Sequence, residues 1–242
     1  MAERTERSSA ASPYSAIGAL ADPVRRRLYD AVVARGDGIG REEAAREAGV
    51  PLHTARFHLD KLVAEGLLDV GQRRLSGRTG PGAGRPAKVY RRSDVELAVS
   101  VPRRGYDLVG EVFAAAVERS LDGAPLAGAL AEEARAAGRR DGSAYDQVGD
   151  QVGDQVGGEL ERSAGVLAGR GFEPARGDDG LVLRNCPFGA LARAHAALVC
   201  GVNLDYVEGV LDGLGCTRTR ARLDPGADRC CVRVTATAAR PT

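Results

Sequence analysis

Residues 41–70 read REEAAREAGVPLHTARFHLDKLVAEGLLDV, and the punctuation of this stretch decides the architecture of the first half of the chain. Arg41 to Ala48 is a short helical pattern stopped by Gly49, a residue that takes the left-handed conformation at a helix end without strain. A second helix starts around Leu52 and runs to Glu65 before Gly66. At 100° per residue, Leu52, Ala55, Leu59, Leu62 and Val63 share an arc facing a core, which centres His53, Thr54, Phe57 and Lys61 on the opposite side. Arg56 falls near the seam, from where a long side chain still reaches a phosphate or a base edge. Leu67-Leu68-Asp69-Val70 then begins a strand.

Upstream, Asp22-Pro23 is an N-cap followed by proline at the first helical position; it opens a helix expected through Arg35, with Val24, Leu28 and Val32 on one face. Residues 1–14 are polar, rich in Ser and Ala and aperiodic, and are expected to be a disordered arm. Downstream, the Gly/Pro-rich segment from Gly77 to Pro86 is a loop, and Ala87-Lys88-Val89-Tyr90 returns as a strand. Three short helices with a tight turn between the second and third, then a basic hairpin, are the parts of a winged helix-turn-helix, placed over residues 15–104.

The hairpin carries the electrostatic signal. From Gly71 to Arg92 there are Arg73, Arg74, Arg78, Arg85, Lys88, Arg91 and Arg92 and no acidic residue, so these charges read as uncompensated and suited to phosphates. Gly84-Arg85-Pro86 presents a guanidinium on an extended turn that suits a narrow minor groove. Residues 1–104 hold 19 Lys/Arg against 13 Asp/Glu, and residues 105–242 hold 15 against 20, so only the first part is expected to face a polyanion. Double-stranded DNA is the expected partner, with His53, Thr54, Arg56, Phe57, Lys61, Arg78, Arg85 and Lys88 as contact residues. A solvated helix face and an ordinary loop explain each feature singly; the order and combination favour DNA.

Residues 105–242 are expected to form a helical connector and a sensor and dimerisation domain, making the whole an α+β protein. Leu108, Val109, Val112, Phe113, Ala116, Val117 and Leu121 trace one helical face, either a dimer contact or intrachain core. A homodimer is expected because one short recognition helix reads few bases. A further helix spans about Leu126 to Arg140, and Asp-Gln-Val-Gly is repeated over residues 146–157, setting Val148, Val152 and Val156 four apart. After a helix to about Gly169 come a strand from Gly180 to Arg184, helices over 190–199 and 204–214, and a hairpin pairing Thr217–Leu223 with Cys230–Ala236. Alternation puts Cys230, Val232 and Val234 on one face of the last strand, with Cys231 and Arg233 on the other.

All five cysteines lie between Cys186 and Cys231. No apolar run reaches membrane-span length and the start lacks a secretory pattern, so the chain is expected to be soluble and cytoplasmic, without a membrane partner. In that compartment clustered cysteines point to metal or redox chemistry more than to disulfides. Cys186, Cys200 and Cys216 are read at the ends of elements, where ligands converge; no C-x-x-C pair is present, and burial as small hydrophobes is the competing reading. A cysteine nucleophile near His195 is a remote alternative, and no Ser/His/Asp or phosphate-loop pattern accompanies it.

Ala44-Ala45-Arg46-Glu47-Ala48-Gly49-Val50, Ala55-Arg56-Phe57-His58-Leu59-Asp60-Lys61-Leu62, Glu65-Gly66-Leu67 and Gly84-Arg85-Pro86-Ala87-Lys88-Val89-Tyr90 resemble the ArsR-like winged-helix regulators of bacteria. The resemblance implies a homodimer on an inverted repeat with the third helix in the major groove. Asn185-Cys186-Pro187-Phe188, Leu198-Val199-Cys200, Asn203, Glu208-Gly209 and Cys230-Cys231 resemble the C-terminal half of the SufR-like branch. That likeness implies a [4Fe-4S] cluster held by Cys186, Cys200 and one of Cys230 and Cys231, in a repressor responding to iron–sulfur or redox status. A winged-helix regulator without a cluster, responding to thiol oxidation or a small ligand, is the alternative.

Overall fold

The computed structural model describes residues 12–73, 87–146 and 156–237, and it divides into two compact units at Val99 and Ser100. The first unit contains α1 (Pro13–Ala19), α2 (Pro23–Val33), β1 (Ile39–Gly40), α3 (Arg41–Ala48), α4 (Leu52–Ala64), β2 (Leu68–Arg73) and β3 (Ala87–Arg92). As the sequence suggests, Asp22 caps α2: its Oδ1 accepts the backbone N–H groups of Val24 at 2.8 Å and Arg25 at 2.9 Å, and Pro23 follows at the first turn. Gly49 ends α3 at φ 64°, which turns the chain into α4.

The sheet has the order β1-β3-β2 and is antiparallel throughout, with Tyr90 of β3 opposite both Ile39 and Val70. Leu28, Val32, Ile39, Ala44, Ala55, Leu59, Leu62, Leu68 and Tyr90 make the core, so the helices pack on one another and on the base of the wing. Three sequence expectations are corrected here, and one element is added. Residues 13–19 are helical, because Pro13 opens a turn whose only buried residues are the small Ala16 and Ala19, too weak a pattern to read. Helix α2 stops at Val33 rather than Arg35; β1, two residues long, had no periodicity to show itself. Leu52 is 46% exposed, since it lies at the very start of α4, ahead of the turns that pack.

The second unit contains α5 (Tyr106–Leu121), α6 (Leu126–Asp146), α7 (Val156–Gly169), β4 (Pro174–Gly177), β5 (Gly180–Leu183), α8 (Gly189–Ala194), α9 (Ala196–Gly213), β6 (Thr219–Leu223) and β7 (Val232–Ala236). Its antiparallel sheet has the order β4-β5-β7-β6. Helices α6 and α9 run side by side in the same direction, with Gly138 and Gly142 of α6 set against α9, and Gly209 and Gly213 of α9 set against α6. Phe172, Phe188 and Tyr206 fill the core; the Phe172 and Tyr206 rings stack at 6.1 Å, and the Tyr206 hydroxyl donates to Asp141 at 2.6 Å.

The corrections in this unit concern segmentation. The expected helices at 190–199 and 204–214 are α8 and the single long α9, broken at His195. Cys200 therefore sits in the second turn of a helix and does not end one. Cys186 lies in the loop beyond β5, and Cys230 and Cys231 precede β7, although Cys230, Val232 and Val234 do point inward together. Strand β4 had no sequence signal. Of the proposed α5 face, Leu108, Val109, Val112 and Ala116 are intrachain core, and Val117 and Leu121 remain exposed. Residues 147–155 of the repeat lie outside the described residues, as do Arg74, Arg78 and Arg85 of the wing. Among the described residues no helix is long and apolar enough to cross a membrane.

Candidate nucleic-acid interface and the cysteine region

Helix α4 is held by Ala55, Leu59 and Leu62 on its buried side, which leaves His53, Arg56, Phe57 and Lys61 exposed on the other. Thr54 is half-buried at the edge of that face. Phe57 is 67% exposed, and its ring meets that of His58 edge to face, at 5.2 Å between centroids. Beside this face stands β3, the returning strand of the wing, with Lys88 exposed and Arg91 and Arg92 further along it.

The cations of this surface are not free of partners. Lys61 pairs at 2.6 Å with Glu65, which also accepts from Ser15 of α1 at 2.6 Å; Lys61 first, then Ser15, hold the buried Glu65 carboxyl below its usual range. Asp60 lies 4.0 Å from Arg56 and 3.9 Å from Lys88. The reading of the wing charges as uncompensated is thereby corrected for Lys88: charge counted along the hairpin misses an acid supplied by α4. Asp60 also accepts from the Tyr90 hydroxyl at 3.3 Å, and that oxygen accepts from Arg41 at 3.2 Å. Burial pushes the Tyr90 phenol up, and the hydrogen bond to it raises Arg41. Asp60, Tyr90 and Arg41 thus tie α4, β3 and α3 together, and sequence reasoning missed Asp60 and Arg41. The i, i+4 spacing of Arg56 and Asp60 was the available signal.

Two helices joined at a left-handed glycine, the second with its polar face outward beside a basic hairpin, is a helix-turn-helix arrangement. Residues 20–71 match the family described as helix-turn-helix domain. No match was found among curated proteins or among solved structures. The matched helix-turn-helix segment runs from the end of α1 into β2 and contains α2, α3 and the whole of α4.

In the second unit the structure brings some cysteines together. Cys186 and Cys230 face one another, Cys231 adjoins, and the buried Asn203 side chain donates to the Cys230 sulfur at 3.0 Å. Arg104 fixes the Cys186 loop by donating to the Cys186 carbonyl at 2.7 Å and to Asn185 at 3.1 Å. Contact with Cys230, then burial, push the Cys186 thiol well above the usual range. Cys230 is drawn down by Cys186, but Cys231 and burial push it up to about 11. Cys216 lies apart, 4.0 Å from the Ser163 hydroxyl, and burial raises it too. Among the described residues Cys200 enters none of these contacts, and no three His, Cys, Asp or Glu side chains are placed to hold a metal ion. A cubane cluster needs several thiolates facing one volume, and the cysteines as arranged do not form that set.

Proposed function

We propose that this chain is a cytoplasmic transcriptional regulator that binds double-stranded DNA through α4 and the wing, of the ArsR-like kind. The observation that carries the reading is the exposed row His53, Arg56 and Phe57 on α4 beside Lys88 of β3 in the wing. Phe57 suits apolar contact with a thymine methyl, and the cations suit phosphates. The functional form is a homodimer on an inverted repeat, acting as a repressor, with Arg78 and Arg85 adding contacts from the wing tip. Selection of duplexes from a randomised pool by the purified protein tests this: enrichment of a two-fold symmetric sequence supports it, and recovery of no sequence and no duplex refutes it.

For the second unit, a sensor without a cluster is the reading favoured by the cysteine geometry: the response is to a small ligand or to thiol oxidation. The Cys186 and Cys230 thiols, held protonated, are poor nucleophiles, so oxidation of these two at neutral pH is slow. The iron–sulfur reading rests on the resemblance of Cys186, Cys200 and Cys230 or Cys231 to a ligand set. Purification without oxygen separates the two: a brown protein with broad absorption near about 400 nm supports the cluster, and a colourless one supports its absence.

A further inference from the structure

Asp60 is the one acidic residue of α4, and it stands on the face that carries Arg56 and Phe57. It is oriented from behind. Tyr90, fully buried, donates its hydroxyl to Oδ1 at 3.3 Å and is itself held by Arg41 at 3.2 Å, which turns a carboxylate that is 45% exposed toward the gap between α4 and β3. In front of it are two exposed cations: Arg56, 69% exposed, 4.0 Å from Oδ2, and Lys88, 51% exposed, 3.9 Å from Oδ1. One comes from the recognition helix and the other from the wing. A fixed anion between the two principal DNA-facing elements lowers the local positive potential where a phosphate would bind.

Resting on the DNA-binding reading above, we infer that Asp60 sets the sequence-independent affinity of the winged helix by retaining Arg56 and Lys88. A loosely docked duplex leaves both cations on the carboxylate; only a closely fitted one brings phosphates near enough to compete. Sequence-independent affinity comes almost wholly from cations displacing condensed counterions, about 0.9 in the logarithmic salt slope for each phosphate neutralised. Retaining two cations therefore suppresses this affinity selectively.

The test compares the full chain with Asp60→Asn on a labelled mixed-sequence duplex of about 30 base pairs, by anisotropy across a salt series. Asparagine keeps an acceptor for Tyr90 and removes only the charge. The expected result is about three- to tenfold tighter binding at about 0.1 M salt and a slope steeper by about 1–2 units. Tyr90→Phe, which keeps the charge and removes only the hydrogen bond that orients it, should shift the slope by clearly less than Asp60→Asn does. Tight binding by wild type with an unchanged Asp60→Asn slope overturns the inference alone; no binding by folded wild type at the lowest salt overturns the DNA reading and the inference with it. If Asp60→Asn does not fold, Arg56→Gln and Lys88→Gln decide. Each should cost less than about half a slope unit, and a loss of about one unit from each overturns the inference.

Discussion

Gly138 of α6 lies so close to Tyr206 of α9 that a β-carbon built on it would stand 2.1 Å from the Tyr206 carbonyl oxygen. The pattern recurs down the pair: Gly142 against the Val210 carbonyl at 2.5 Å, Gly209 against Arg135 at 2.2 Å and Gly213 against Arg139 at 2.4 Å. These are backbone atoms, which cannot rotate away as a side chain would. Glycines four apart on both helices let two backbones touch, and this contact organises the second unit around α9.

Gly138→Ala should therefore destabilise the protein by about 2 kcal/mol or more, even though alanine is the better helix former by about 1 kcal/mol. Gly110, also inside a helix but with nothing near its β-position, is the control: Gly110→Ala should gain about 0.5–1 kcal/mol. Urea midpoints read both. A stable Gly138→Ala would show that the α6 and α9 backbones do not touch at Gly138.

Glu159, 2% exposed, accepts the backbone N–H groups of Thr217 at 2.9 Å and Arg218 at 3.1 Å and the Thr219 hydroxyl at 2.9 Å. Burial works to raise its carboxyl, but these donors outweigh burial and hold it below the usual carboxylate range. An acid whose folded pKa is depressed stabilises fully above its unfolded value, about 4.3, and loses that contribution as pH falls through the folded value. Glu159→Gln should cost about 2–3 kcal/mol at neutral pH, with the gap to wild type closing below about pH 4. A gap that stays constant from pH 7 to 3 would mean that shape, not charge, is what Glu159 supplies.

On DNA, Arg85→Ala should flatten the logarithmic salt slope by about 0.9, whereas Lys88→Ala should cost less because Asp60 already holds Lys88. Phe57→Ala or Thr54→Ala should instead alter which sequences are enriched. Salt titration and repeated selection measure the two effects. Identical consequences from wing and helix substitutions would contradict the division of labour between them.

Alkylation with iodoacetamide at pH 7, followed by mass spectrometry, should modify Cys200 and Cys231, both half-buried, before Cys230 and Cys216. Cys186 is half-buried as well, yet its raised thiol should make it slow. Rapid labelling of Cys186 would show that its thiol is not held protonated by Cys230.

Leu121, 83% exposed, and Val117, 48% exposed, are what remains of the α5 face for a dimer contact. Leu121→Glu should convert a dimer into a monomer by light scattering with little loss of thermal stability. A dimer that survives the substitution must be built elsewhere.

The limits of α3 and α4 were legible because Gly49 and Gly66 punctuate a strong helical period, and the match over residues 20–71 agrees with that reading. Asp22-Pro23 named its helix start outright, and the inward alternation of Cys230, Val232 and Val234 could be read from spacing alone. The sequence by itself determined the mixed α and β architecture and the outward face of α4, because both follow from residues close together in the chain.

Only the tertiary structure decided the rest. Asp60 meets Lys88 and Tyr90 across 28 and 30 positions of chain, so no local count of charge could show Lys88 compensated. Cys186 meets Cys230 across 44 positions of chain, and α9 runs unbroken through Cys200, neither of which spacing along the sequence could show. The glycines of α6 and α9, weak helix formers when read singly, become the contact surface only when two helices are laid together, because the missing side chain matters where another backbone takes its place.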